Sequence, residues 1–375
     1  MARVLVVTVA HPPGDARILH REILALREYG HHITYAAPFE AFGEVPPHDL
    51  PTRNVPRSQG NPVRRIPAVL AAVRLVLRER AKQDVILVHD PELLPALAAA
   101  RLPSRLPRPV AVWDVHEDVP AQVAMLPLPR VLGWAVAGLI HATELAAERA
   151  FELLLAETAY QERFRRRHPV VPNSVRLRPG GPWQAEDQPR VIYLGSLTWA
   201  RGAQELIDIA AALPGVTVEL IGNAKADVED AIRGAAARLP NLRYRGFVPN
   251  DMALARLPGA LAGLSLLHNE PNYKHSQPTK VMEYMAHAVP SITTPNAASR
   301  ELVESTDSGW VVAFGDVGAV TECIRRLDAD RAERERLAAN AYSAASAHDW
   351  NRDGRHFAEL LERWADRARD AGHSP

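Results

Sequence analysis

The sequence predicts an α/β protein made of two Rossmann-like domains in tandem. Short apolar, β-branched runs alternate with helical stretches. The alternation breaks at a proline-, glycine- and charge-rich segment over 173–190 and then restarts, and ionisable residues gather where the apolar runs end. Alternation of this kind packs as a doubly wound parallel sheet. At 375 residues the chain exceeds one ordinary core and suits two domains.

In order, RVLVVTVA (3–10), HITYAAP (32–38), VILVHD (85–90), VAVWDVHE (110–117) and FELLLAE (151–157) read as buried strands. Helical patterns fill 16–29, 63–82, 92–101 and 131–149 between them. NSVRLRPGGPWQAEDQPR (173–190) reads as a linker. Beyond it VIYLGSL (191–197), VTVELIG (216–222), LRYRGFV (242–248), GLSLLH (263–268), SITT (291–294) and WVVAF (310–314) repeat the strand pattern. A polar helical tail follows from about 329 to 370. Domain limits are therefore expected at 1–175, a linker at 176–190, a second domain at 191–350 and a terminal helix at 351–375.

Composition narrows the function. The hydrophobic share of 47% is that of a globular chain. Lys+Arg and Asp+Glu balance at 44 each, which argues against a nucleic-acid binder. The single Cys323 rules out an internal disulfide framework and suits a reducing, cytoplasmic setting. MARVLVVTVAHPPGDAR reads as a buried strand rather than a signal peptide, and no run approaches the ~20 apolar residues of a membrane span.

Ligands of open parallel sheets bind beyond the carboxyl ends of the strands. Those ends carry His11, then His89 and Asp90, then His116, Glu117 and Asp118, and in the second half His268 with Glu270 close by. Taken alone, His89 reads as a loop histidine bonded to nearby backbone. His116 has acids on both sides in DVHED and reads as functional. These groups lack the tight spacing of a metal site.

Two helix starts in the second half carry cations. PTKVMEYMAHAV puts Val281, Met282, Met285, Ala286 and Val289 on one packed face, with Lys280, Glu283 and His287 on another stripe. A cation in the first turn opposes the helix dipole at about 0.3–1 kcal/mol, and a solvated face is the plain alternative. In YLGSLTWARGAQELIDIAA a strand and a glycine turn lead to Arg201 just before the next helix. Arg201, Lys280 and free backbone N–H groups together suit a diphosphate. Glu283, one turn further in, suits the hydroxyls of a ribose. Neither a Walker sequence nor a G-x-G-x-x-G after a strand is present, which disfavours NTP hydrolysis and hydride transfer. Asp328-Ala-Asp330 lies between two helical patterns and reads as a helix cap.

YLGSLTWARG, the S-x-P-x-K-x-x-E-Y-M-A run at 276–286 and PNSV at 172–175 resemble the retaining GT-B glycosyltransferases of glycosyltransferase family 4. HPPGDARILHREILALREYGHHITYAAP and VWDVHEDVPAQV are similar to a bacterial subgroup of that family, and HDWNRDGRHFAELLERW extends the likeness toward the end. The resemblance implies a GT-B fold: two Rossmann-like domains facing a cleft, with a last helix returning to the first.

It also implies residue roles. Donor contacts fall to Gly195, Ser196, Arg201, Phe247, Val248, His275, Ser276, Gln277, Pro278, Thr279, Lys280 and Glu283. His116 would act near the reacting end of the donor sugar, with Arg201 and Lys280 stabilising the leaving diphosphate. His11, Gly14, Asp15, His89 and Glu117 would face the acceptor. Two positions depart from the family pattern: His275 stands where a second glutamate is common, and Ser196 where an arginine is common.

The implied function is transfer of a sugar from a UDP- or GDP-linked donor to an acceptor with retention, without a metal or other cofactor. The acceptor is a small natural product or metabolite, or a lipid-linked envelope precursor. A sugar-nucleotide epimerase and a non-catalytic nucleotide-sugar-binding subunit are the alternatives. Residues 53–82 carry Arg53, Arg57, Arg64, Arg65, Arg74, Arg78, Arg80 and Lys82 against Glu79, with valines and leucines at 69–77. That stretch could rest on anionic lipid as a peripheral contact, the plain alternative being a wet helix face, and ERFRRRH (162–168) reads the same way. Oligomeric state is not legible.

Overall fold

In a computed structural model of the chain, residues 1–103, 108–116, 119–120, 129–177, 188–270, 273 and 279–372 are described. The first sheet contains β1 (Arg3–Val7), β2 (His32–Ala37), β3 (Thr52–Asn54), β4 (Val85–Val88), β5 (Val110–Val115) and β6 (Glu152–Leu155), in the order β3-β2-β1-β4-β5-β6. The second contains β7 (Arg190–Leu194), β8 (Thr217–Ile221), β9 (Leu242–Tyr244), β10 (Ala262–Ser265), β11 (Ser291–Thr293) and β12 (Gly309–Val311), in the order β12-β11-β10-β7-β8-β9. All strand pairs are parallel. Numbered from its own first strand, each sheet is wound 3-2-1-4-5-6. Its ligand-binding switch point therefore lies between its first and fourth strands. In the first sheet that point is flanked by the exits of β1 and β4, in the second by those of β7 and β10.

Two compact units result: Met1–Asn173 together with Trp350–Pro375, and Ser174–Asp349. Alternation along the strands sorts the first core into two layers. Val4, Val6, Leu87 and Val112 pack with the Trp350–Gly372 helix through Phe357, Leu361 and Trp364. Leu5, Val7, Val88 and Trp113 pack on the other face with Ala68, Ala72 and Val76 of the Pro62–Glu79 helix and Ala147 of the Arg130–Ala150 helix. In the second unit the Ala203–Ala212 helix covers one face through Leu206 and Ile209. The Thr279–Ala286 helix packs through Val281, Met282 and Met285 with Val303 and Ala341.

Several expectations change in detail. The helix expected at 16–29 is a π-helical turn, Ile18–Ile23, followed by Leu24–Glu28. Its widened spacing shows in the Glu22 N–H donating to the Arg17 carbonyl at 2.9 Å. The 242–248 run is strand only to Tyr244, because Gly246 turns the chain with φ +67°. The 151–157 run is strand only over Glu152–Leu155, and 310–314 only to Val311. Strand β3 was not foreseen, since Thr52–Asn54 is short, polar and at the sheet edge. The tail is two helices, Arg331–Ala345 and Trp350–Gly372. Asp330 caps the first by accepting from the Glu333 N–H at 2.9 Å. Residues 178–187 of the expected linker lie outside the described residues.

Candidate functional site

In the second unit, β7 ends at Leu194 and Gly195 turns sharply with φ +117°. Glycine is needed at this strand exit and the next. A Cβ on Gly222, at φ +142°, would lie 2.0 Å from the Gly195 carbonyl oxygen. The chain then makes a short turn over Trp199–Arg201, and Gly202 (φ +87°) starts the next helix. A Cβ on Gly202 would meet the Leu266 carbonyl oxygen at 2.6 Å, so this glycine lets the turn bearing Arg201 sit directly on the exit of β10.

Lys280 comes to the same place from the first turn of its helix. Its ammonium lies 3.9 Å from the centre of the Tyr193 ring, and a Cβ on Gly195 would be 3.8 Å from Nζ. Nζ is buried and makes no hydrogen bond among the described residues. Burial, then repulsion from Arg201, pulls its pKa from 10.5 down to about 7, with Glu283 opposing. A cation–π contact supports such a charge weakly compared with a hydrogen-bonded anion. Arg201 donates from Nε to the Tyr273 hydroxyl at 3.4 Å. Thr198 Oγ1 nearby is also buried, without a hydrogen-bond partner among the described residues. Arg201 and Thr198 of this turn and Lys280 of the Thr279–Ala286 helix therefore gather two basic groups and an orphaned hydroxyl beside the backbone of Gly195, a set that an anion would complete.

Other expected donor residues have plainer surroundings. The Ser196 carbonyl accepts from the Tyr193 hydroxyl at 2.9 Å. Phe247 is 69% exposed, while Val248 packs on the core. Thr279 opens the Lys280 helix, and Glu283 follows one turn later. His268 is held by Glu205 at 2.7 Å. His275, Ser276, Gln277 and Pro278 lie outside the described residues.

In the first unit the exits of β1, β4 and β5 bring three histidines together. His11 Nδ1 lies 2.7 Å from Asp90 Oδ1, and the Asp90 Oδ2 atom accepts from Thr8 Oγ1 at 3.0 Å and from the Val9 N–H at 2.6 Å. His11 Nε2 is 3.1 Å from His116 Nε2, and His116 Nδ1 is 3.3 Å from Asp114 Oδ2. One Nε2 must donate and the other accept, so the two rings constrain each other's tautomer. Both keep a narrow exposed edge, 15% for His11 and 10% for His116.

Behind them sits a buried ion cluster. Arg17 binds Asp114 through two contacts of 2.7 Å and approaches Glu22 Oε1 at 3.1 Å. Its pKa is raised: burial opposes the charge, and Asp114 and Glu22 outweigh it. Burial favours a neutral Asp114, yet Arg17 holds its carboxyl well below the ordinary value. Burial and the neighbouring Asp114 push Glu22 up, against Arg17 and His89. For His89, burial lowers the pKa but Glu22, 2.8 Å away, raises it overall. Among the described residues Glu22, His89 and Asp114 are close enough to hold a metal ion. The Arg17 guanidinium already supplies the cation to both carboxylates there.

His89 is therefore neither a plain loop histidine nor in reach of a ligand: its side chain is fully buried against Glu22. Asp15 accepts from the N–H groups of Arg17 (2.8 Å) and Ile18 (3.0 Å) and anchors the π-turn. Gly14 lies against Glu44, and Glu117 lies outside the described residues. Sequence reasoning missed Arg17, Glu22 and Asp114. Asp114 had a signal, an acid inside an apolar strand. Arg17 and Glu22 had none, because five residues apart they stand about 140° apart on an α-helix and share a face only through the π-turn.

Residues 188–330, which hold Gly195, Arg201 and Lys280, match the family model described as glycosyl transferases group 1. No curated protein matches. Sucrose-phosphate synthase from Thermosynechococcus elongatus superposes with a TM-score of 0.68 at 17% identity, over 96% of this chain and 98% of that one. HepE from Anabaena, solved in complex with UDP-glucose, gives 0.66 at 16% identity, over 97% and 100%. WaaG, a glycosyltransferase involved in lipopolysaccharide biosynthesis, gives 0.65 at 16% identity, over 96% and 99%. These likenesses establish the GT-B fold.

Proposed function

We propose that the chain is a retaining glycosyltransferase of the family 4 type, moving a sugar from a UDP- or GDP-linked donor to an acceptor. The observation that carries this reading is the buried Lys280 ammonium, unbonded beside Gly195 and near Arg201, inside the segment that matches the group 1 model. HepE was solved with UDP-glucose and with UDP, which makes uridine donors the first to test.

Breaking the sugar–phosphate bond leaves negative charge on the departing diphosphate and positive charge on the sugar. Lys280 and Arg201 meet the first, together with the N–H groups at the start of the Thr279–Ala286 helix. Glu283 takes the ribose hydroxyls. In this reading His116, whose ring meets His11 and Asp114, serves the reacting end of the donor sugar, and His11 serves the acceptor. The acceptor attacks on the face the diphosphate leaves, and that phosphate takes the acceptor's proton. The two cations supply the charge compensation, so the proposal includes no metal. The acceptor is a small metabolite or a lipid-linked precursor.

The test is release of nucleoside diphosphate from a matrix of nucleotide sugars and acceptors, with the product's anomeric configuration read by NMR. Lys280→Ala should lower turnover by about 10²–10³-fold. A Lys280→Ala enzyme with unchanged turnover refutes the assignment. Conversion of the donor sugar without an acceptor makes the chain an epimerase, and binding without turnover across the matrix makes it a binding subunit.

A further inference from the structure

The helix layer over one face of the first sheet carries apolar surface where a water-facing protein should not. The Arg130–Ala150 helix packs through its second half, where Glu144, Ala147 and Glu148 are buried. Over 132–143 it contains no charged residue, and Trp134 is 78% and Leu139 69% exposed, with Leu132 also exposed. At about 100° per residue, the partly covered positions Gly133, Val136 and Ile140 form one narrow stripe. The rest of the circumference is open. A helix apolar nearly all round belongs in an apolar medium rather than against water.

The neighbouring Pro62–Glu79 helix shows the same character in another form. It packs inward through Ala68, Ala72 and Val76. Val63, Ile66, Leu70 and Leu77 are exposed, and helical geometry puts all four on the side opposite that packed face. Arg74 and Arg78 flank this stripe, while Arg65 is paired with Glu92, and Glu79 with Arg53 and Lys82. Both helices cover the same face of the first sheet, since both pack into the layer of Leu5, Val7, Val88 and Trp113.

We propose that this face docks on a bilayer bearing anionic lipid, the exposed half of the Arg130–Ala150 helix entering the headgroup–acyl boundary while Arg74 and Arg78 of the Pro62–Glu79 helix meet lipid phosphates. A protein partner would cover one side of a helix, whereas the 132–143 segment is open over most of its circumference and calls for a surrounding medium. The charge is complementary to anionic headgroups: the outward stripe has arginines on its flank, and 129–143 has no acid. The contact is interfacial. Among the described residues no helix is long and apolar enough to cross a membrane, and 12 residues of helix extend only about 18 Å. The proposal does not rest on sugar transfer, because every residue it uses lies in the first unit.

The test is co-sedimentation of the full chain with sucrose-loaded vesicles, either phosphatidylcholine alone or phosphatidylcholine with one part in three of phosphatidylglycerol. The chain should pellet with the anionic vesicles and weaken at high salt. Trp134→Glu with Leu139→Glu, and separately Arg74→Glu with Arg78→Glu, should each lower the partition coefficient at least tenfold. Lipids brominated on the acyl chain should quench wild-type fluorescence more than that of Trp134→Phe. The replaced side chains are outward-facing, so thermal unfolding of each variant should match wild type, as should its response to nucleoside diphosphate. A wild-type chain left in the supernatant with anionic vesicles overturns the proposal. So does a lipid-free dimer, seen by sedimentation velocity, that Trp134→Glu dissociates, since the face would then be a contact between copies.

Discussion

Lys280→Met should make the unliganded protein more stable and its ligand-binding worse. A lysine whose pKa falls from 10.5 to about 7 on folding binds its proton less well in the native state. The penalty is complete below pH 7, shrinks as pH rises, and is gone near the unfolded value of 10.5. The full difference sets a ceiling of about 5 kcal/mol, of which relaxation of this partly buried residue leaves about 2–3. Methionine fills similar space without the charge, so the apo melting temperature should rise by about 5–10 °C at pH 6.5. The gain should shrink steadily by pH 9.5. A bound diphosphate reverses the balance by giving the ammonium its counter-charge. At pH 8.5 the free protein holds Lys280 mostly neutral, so binding should take up about one proton. Calorimetry in buffers of different ionisation enthalpy reads that number directly. Lys280→Arg, charged throughout, should show none. Affinity of the wild type should fall with rising pH above 7, and that of Lys280→Arg should not. Pyrophosphate or UDP binding without proton uptake, together with a Lys280→Met protein no more stable than wild type, would falsify the argument.

Other outcomes follow from single contacts. Gly202→Ala forces a side chain into the left-handed region and toward the Leu266 carbonyl. It should cost about 1–3 kcal/mol from the backbone alone, read in a urea midpoint, and weaken diphosphate binding by displacing Arg201. Arg17→Met strips the cation from the buried carboxylates Asp114 and Glu22 and should cost about 3–5 kcal/mol. Asp114, held well below the ordinary carboxylate value, stabilises fully above that value and loses its effect as pH falls through its native pKa. An acid-unfolding series of Asp114→Asn should therefore be less steep than that of wild type. His11→Gln should leave binding of nucleoside diphosphate unchanged and lower turnover, because His11 positions the His116 ring through the Nε2 contact.

Much was legible in the sequence because it is local. The apolar runs set eleven of the strands within a few residues, and the strand–helix alternation set the parallel, doubly wound character of both sheets, while the 3-2-1-4-5-6 order is legible only in the structure. Lys280 and Arg201 were found by their place at helix starts, where a cation meets an unfavourable dipole. The exposed 132–143 segment was only a helical pattern until its burial was known, since an apolar helix reads alike whether packed or bare.

By itself the sequence determined the alternating elements, the break between two Rossmann-like halves and the strand exits where chemistry gathers. Periodicity and helix-end charge are properties of neighbours along the chain. The tertiary structure alone decided that Lys280 is buried over Tyr193, that Arg17 and Glu22 close on Asp114 through a π-turn, and that His11 locks His116 rather than standing free. Each of these depends on distance between segments far apart in sequence, and desolvation exists only once those segments have packed.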